Sequence, residues 1–212
     1  MIAISHIKDG SFHNIWEGIT VRFFSNHHSY GLKRDLNSSF NIIGPIKKLE
    51  IRLFNPETDL FALDEGQRHL RLVKENIPSC YVASDEQEQV CYRQWLFKAS
   101  ENDRLKKYFG NLFPELNSNE GLIEGVFTKP DYRGLNIMPN AIDLILKENY
   151  NQGINLFLVF VNKHNIASLK GFHKSGFTPY IYRIERWRFF KRYVTFHELN
   201  NKNLKSYKNR IK

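Results

Sequence analysis

A chain of 212 residues, 42% hydrophobic and 14% aromatic, is long enough for one sizeable core and has the composition of a globular protein. No apolar run approaches the roughly 18 residues of a membrane helix, and Met1-Ile-Ala-Ile-Ser-His-Ile-Lys lacks the basic-then-apolar layout of a signal peptide, so a cytoplasmic location is expected. A net charge of +9 favours anionic partners, and two cysteines, Cys80 and Cys91, exclude a disulfide scaffold and an all-cysteine zinc site; no metal is expected.

Residues 1–46 read as an N-terminal extension packed on the sheet of the domain that follows. Within it Ile19 to Phe24 alternates like a strand and Tyr30 to Leu36 is a second extended piece. His27 and His28 would point to opposite faces with no Cys, Asp or Glu beside them, which favours structural or exposed histidines over a metal site. The domain itself spans 47–199. Lys47 to Phe54 alternates and is its first strand; Thr58 or Asp59 can start a helix over about 60–75; Ser79 to Ala83 and Gln89 to Phe97 make a hairpin; Asp103 to Phe113 is a short helix. The cysteines are expected near each other on neighbouring strands, reduced and in the core.

Leu122 to Thr128 is apolar and β-prone apart from Glu124 and Gly125, and Pro130 ends the ladder because it has no N–H to give. Arg133-Gly134-Leu135-Asn136-Ile137-Met138 then leads into Pro139, which suits a first helical turn. The free amides of that turn, the positive end of the helix dipole and Arg133 together attract a pyrophosphate. Pro139 to Tyr150 places Ala141, Ile142, Leu144 and Ile145 on one face, and Ile154 to Phe160 reads as a strand covered on both sides. Asn165 can cap a helix that Lys174 suits at its negative end and Gly176 terminates in a left-handed turn. Tyr180 to Trp187 and Tyr193 to Leu199 form a second hairpin through Arg188-Phe-Phe-Lys-Arg192, and 200–212, with five basic residues and no acid, reads as a mobile basic tail.

At Thr128, Pro130, Arg133 and Gly134 the chain resembles the GNAT family of acetyl-coenzyme A dependent N-acetyltransferases. That family's loop reads Arg or Gln, two residues, Gly, one residue, Gly or Ala. Asn136 and Met138 stand where its two glycines usually stand. Asn tolerates positive φ, whereas the long Met138 side chain could crowd the phosphates. Asn165, Ser168, Phe172, Lys174, Gly176 and Phe177 match the family's later helix, Asn-x-x-Ala-x-x-x-Tyr-x-Lys-x-Gly-Phe, at the same spacing.

The resemblance implies an α/β (α+β) fold, a mixed and mostly antiparallel central sheet flanked by helices, with two strands splayed around acyl-CoA. It implies an acetyl-CoA dependent N-acetyltransferase acting on the primary amine of a small or carrier-bound acceptor; the basic surface would attract an anionic one. The cofactor would meet Val126, Phe127, Thr128, Arg133, Gly134, Leu135, Asn136, Ile137, Met138, Asn165 and Phe172. Glu124, the only acid inside its strand and by alternation on the face of Val126 and Thr128, is the candidate general base; an edge or salt-bridge carboxylate is the competing reading. Phe172 replaces the tyrosine that protonates the departing thiolate, leaving Tyr132, Tyr180 and Tyr182 as hydroxyls close in sequence; Tyr182 is assigned the role. His164 and His173 flank the same helix and are more simply surface residues.

The alternative is a GNAT-fold acyl-CoA-binding or regulatory protein without catalysis, for which Phe172 and Met138 speak. Nucleic-acid binding through 183–192 is disfavoured against a hairpin with an aromatic core face and a solvated basic face. A homodimer is left open.

Overall fold

A computed structural model describes residues 20–42, 44, 48–59, 72 and 77–212. Its eight strands are β1 (Phe24–Asp35), β2 (Glu50–Leu53), β3 (Cys80–Ser84), β4 (Val90–Lys98), β5 (Glu120–Thr128), β6 (Leu156–Asn162), β7 (Thr178–Arg188) and β8 (Lys191–Glu198). They form one sheet in the order β2-β3-β4-β5-β6-β1-β7-β8, antiparallel throughout except for β5 against β6. Among the described residues it is flanked by four helices of eight residues or more, α1 (Asn102–Phe109), α2 (Ile137–Tyr150), α3 (Ile166–Lys174) and α4 (Asn201–Ile211), besides a single turn at Pro56–Asp59. The mixed, mostly antiparallel sheet expected above is present. The helix expected over 60–75 lies almost wholly outside the described residues.

The sheet has apolar side chains on both faces. On one, Tyr92, Leu96, Ile123, Phe157 and Val159 pack under Ala141, Ile142, Ile145 and Leu146 of α2 and Leu169 and Phe172 of α3. On the other, Trp95, Phe97, Leu122, Leu158 and Phe160 meet Leu105 of α1 and Leu116. Leu144, expected on the buried face of α2, is 38% exposed, because the stripe runs 141, 142, 145, 146 and leaves 144 on the outer side. Cys80 and Cys91 are free and buried on neighbouring strands, but they belong to opposite faces. Burial pushes the Cys80 thiol up to about 12, so it is a protonated core residue at neutral pH.

Three expectations are corrected. Residues 24–35 do not lie on the sheet as an extension; they are a strand inside it, paired to β6 from Ser29↔Asn162 to Asp35↔Leu156 and to β7 from Phe24↔Arg188 to Lys33↔Thr178. The apolar pair Tyr30 and Leu32 makes this possible, and Arg34 is buried beside them because Asp143 of α2 accepts its Nη2–H at 2.5 Å. The strand expected over 19–24 is instead helical at 20–23. Residues 200–212 are not a loose tail: Leu204, Tyr207 and Ile211 recur at helical spacing, Asn200 caps the helix by accepting from Asn203 N–H at 2.9 Å, and Tyr207 is buried against Tyr30 at a centroid distance of 5.2 Å.

The second hairpin turns on only two residues, Phe189 and Phe190, rather than on 188–192. Both have positive φ, 47° and 64°, where Asn-Gly is the favoured pair. A bulky non-glycine residue held there costs on the order of 1–3 kcal/mol.

Candidate functional site

The parallel pairing of β5 with β6 runs from Glu120↔Leu156 to Ile123↔Val159 and stops, although β5 continues to Thr128 and β6 to Asn162. The two strands therefore part, leaving the last residues of β5 without the β6 ladder on that side. A bulge accompanies the parting. The register of β4 on β5 jumps from Arg93↔Phe127 to Trp95↔Glu124, so Gln94 alone faces Gly125 and Val126, and Gly125 takes φ +63°. Ile123 and Val126, three apart, consequently both face α2, whereas Glu124 shares the opposite face with Trp95. Simple alternation puts Glu124 with Val126 and Thr128; the bulge overturns that.

On the α2 side of the gap lies a cleft of about 470 Å³. It is lined by the end of β5 (Val126, Phe127, Thr128), the loop with Arg133, Gly134 and Asn136, the first turn of α2 (Ile137, Met138, Pro139) and the face of α3 carrying Asn165, Ser168, Lys170, Gly171 and Lys174. Among the described residues, three cations, Arg133, Lys170 and Lys174, and no carboxylate line it. Asn136 has φ 55° and ψ 23°, the left-handed conformation its side chain tolerates, and its carbonyl accepts from Asn140 Nδ2 at 2.8 Å. Ile137 and Met138 open α2 with amides that precede any intrahelical acceptor, at the positive end of the dipole; Pro139 has none to leave unpaired. Arg133 is tethered by donating from Nε to the Thr128 carbonyl at 3.2 Å.

The Met138 side chain folds against α3. A β-carbon on Gly171 would stand 2.6 Å from Met138 Sδ, so glycine at 171 is what makes room for it there. In α3, Asn165 caps the first turn by accepting from Ser168 N–H at 3.1 Å, Phe177 N–H donates to the Phe172 carbonyl at 3.0 Å, and Gly176 has φ +81°.

Leu135 and Phe172 are not in the cleft. Leu135 packs partly buried on the core, and Phe172 is 2% exposed with its ring edge-on to Phe177 at 5.2 Å. Tyr182 is also elsewhere, buried beside Tyr30 at 5.3 Å on a strand that β1 separates from β6. It is not placed to protonate a group held at the gap, and its assignment as the acid is withdrawn. Of the three hydroxyls considered, Tyr132 lines the cleft; it donates to Asp85 Oδ2 at 2.7 Å, a bond that pushes its phenol up to about 12. Burial holds Tyr180 at about 12 as well.

Glu124 lies across the sheet from the cleft. Desolvation pushes its carboxyl up, while the Gly125 N–H and the charge of Arg183 work the other way. Arg183 reaches from β7 over β1 and β6: Nη2 donates to Ser29 Oγ at 3.2 Å, Nη1 to the Leu112 carbonyl at 3.0 Å, and the guanidinium stands 4.8 Å from the Phe160 ring centroid. Burial lowers its own pKa.

No family model matches the chain, and no curated protein matches it. Solved structures do. The GCN5-related glucosamine N-acetyltransferase region of a fungal multi-domain GH3 β-N-acetylglucosaminidase aligns over 90% of this chain with a TM-score of 0.55 at 14% identity. A GNAT-family acetyltransferase from Colwellia psychrerythraea aligns over 88% at 0.52 and 14%, and a GCN5-related N-acetyltransferase from Sphaerobacter thermophilus over 83% at 0.51 and 12%. The chain has the GNAT fold. It spans 23%, 62% and 57% of the lengths of those three chains.

The strands part beside the cationic cleft, and Glu124 stands on the opposite face of the sheet. The sequence reading missed Lys170 and Arg183. Lys170 had a visible signal, since it precedes Lys174 by one helical turn. Arg183 had none, because it approaches Glu124 only through the insertion of β1.

Proposed function

We propose that the chain is an acetyl-CoA dependent N-acetyltransferase whose acceptor is a primary amine on a small or carrier-bound molecule. The observation that carries this is the cleft of three cations and no carboxylate at the mouth of α2, adjoining the place where β5 and β6 part. Its donors fit a diphosphate: Arg133 and Lys170 and Lys174 supply charge, and the amides at 134–138 supply directed N–H groups. The unpaired edge of β5 at Val126, Phe127 and Thr128 suits an extended, amide-bearing arm such as pantetheine.

Acetyl-CoA, when bound, supplies an activated acyl carbonyl. Glu124 takes a proton from the acceptor's ammonium group, and burial raises its basicity for the task. The charge of Arg183 opposes that rise. Of the three candidate hydroxyls Tyr132 is the one that lines the cleft, with its proton donated to Asp85.

A second reading, acyl-CoA binding without turnover, is favoured by Phe172, which has no hydroxyl and faces the core. Calorimetric titration with acetyl-CoA and with CoA, followed by turnover on an amine panel, separates the two. Binding abolished by Arg133→Glu with an unchanged circular dichroism spectrum is the expected result. No heat with either thioester or thiol at millimolar excess overturns both readings.

A further inference from the structure

We propose that the β7–β8 hairpin tip and the start of β1 form a docking surface for an anionic lipid bilayer. Two copies of one tripeptide meet there, Arg22-Phe-Phe24 and Arg188-Phe-Phe190. They are joined by backbone bonds from Phe189 N–H to the Phe23 carbonyl and from Phe190 N–H to the Arg22 carbonyl, each 2.9 Å. The result is an exposed aromatic knob: Phe189 is 70%, Phe24 63%, Phe190 56%, Tyr193 53% and Phe23 48% exposed. Isolated exposed phenylalanines need no explanation, but four of them on two paired tripeptides do.

The turn does not need them. Phe189 and Phe190 occupy the two positions with φ above zero, where Asn-Gly would be unstrained and soluble. Strain and apolar exposure coincide on the same two residues, and the exposure is relieved if the rings leave water.

Charge selects the partner. Segments 20–24 and 186–193 contain Arg22, Arg186, Arg188, Lys191 and Arg192 and no acid. A knob of phenylalanine on segments that carry cations and no acid matches the headgroup region of a membrane, with rings at the acyl boundary and cations at the phosphates. Single-stranded nucleic acid fits less well, because base stacking requires free ring faces. Here Phe23 meets Phe189 and Phe190 edge-on at 5.0 and 6.1 Å, and the Arg188 guanidinium covers Phe24 at 3.8 Å. The surface is independent of the cleft and of the reading of its chemistry.

The full chain should co-sediment with vesicles of phosphatidylcholine containing 30% phosphatidylglycerol, and at least tenfold less with pure phosphatidylcholine. The double variant Phe189→Asn, Phe190→Gly places favoured residues in the turn, so it should fold at least as stably as the parent and lose at least tenfold in vesicle partitioning. Lys191→Glu, Arg192→Glu should fail in the same assay. Four results overturn the proposal: no partitioning onto anionic vesicles at low salt, equal partitioning onto neutral ones, a turn variant that partitions like the parent, or a dimer in light scattering that the turn variant dissolves. Retention on single-stranded RNA in place of vesicles also overturns it.

Discussion

Asp143→Ala should be among the most damaging single substitutions outside the apolar core. Arg34 lies in an inner strand with its side chain 4% exposed, and Asp143, 12% exposed, accepts from it at 2.5 Å. The guanidinium's Nε and Nη1 are buried with no hydrogen-bond partner among the described residues, so removing the carboxylate leaves the charge only the Phe40 ring, 5.8 Å away. Breaking such a pair from one side costs about 3–5 kcal/mol. For a domain of this size each kcal/mol lowers Tm by about 2–4 °C, which makes the expected drop roughly 6–20 °C. Lys147 also contacts Asp143, at 2.7 Å, but is 68% exposed, and Lys147→Ala should cost under about 1 kcal/mol. Urea unfolding and differential scanning calorimetry on the two variants measure the contrast. The double variant Arg34→Met, Asp143→Leu should recover most of the loss, since two apolar side chains leave no charge behind. If Asp143→Ala unfolds no more readily than Lys147→Ala, the pair does not anchor β1 to α2 and the account of the inner strand is wrong.

The proposed base Glu124 would work only when ionised, and desolvation raises its pKa from the ordinary glutamate value, so kcat/KM should rise with pH through a limb displaced upward in the same direction. Arg183 opposes the rise in pKa, so Arg183→Met should carry the limb to still higher pH, whereas a purely structural role would lower activity at every pH alike. Asn136→Val, a β-branched side chain at φ 55°, should cost about 1–2 kcal/mol and weaken coenzyme A binding, and Asn136→Gly should keep both; thermal shifts with and without CoA report each. Tyr207 is 2% exposed with its hydroxyl unpartnered, so Tyr207→Phe should be neutral or stabilising, while Tyr207→Ala should cost about 3 kcal/mol and release α4 to proteolysis.

Features decided within one turn of chain were readable in advance. The Asn165 cap, the left-handed Asn136 and Gly176, and the proline in the first turn of α2 each depend on neighbours within four residues. Features decided by distant pairing were not. β1 reads as an appendage because nothing near Tyr30 announces that β6 and β7 leave a strand-wide space for it. The bulge at Gly125 inverts the side on which Glu124 lies, and its only local sign is a glycine inside a strand. Removal of Tyr182 from the gap follows from the same inserted strand. The C-terminal helix is a different case: Leu204, Tyr207 and Ile211 were there to be seen, and the weight of five basic residues obscured them.

The glycine kink at 125 also divides responsibility. On the proposed reading, the groups that would hold the donor lie on one bank of the sheet and the carboxylate proposed as base on the other. Substitutions on the Glu124 bank would then change which amine is admitted while the cationic bank stays intact, so such a scaffold could acquire new acceptors without rebuilding its grip on the donor.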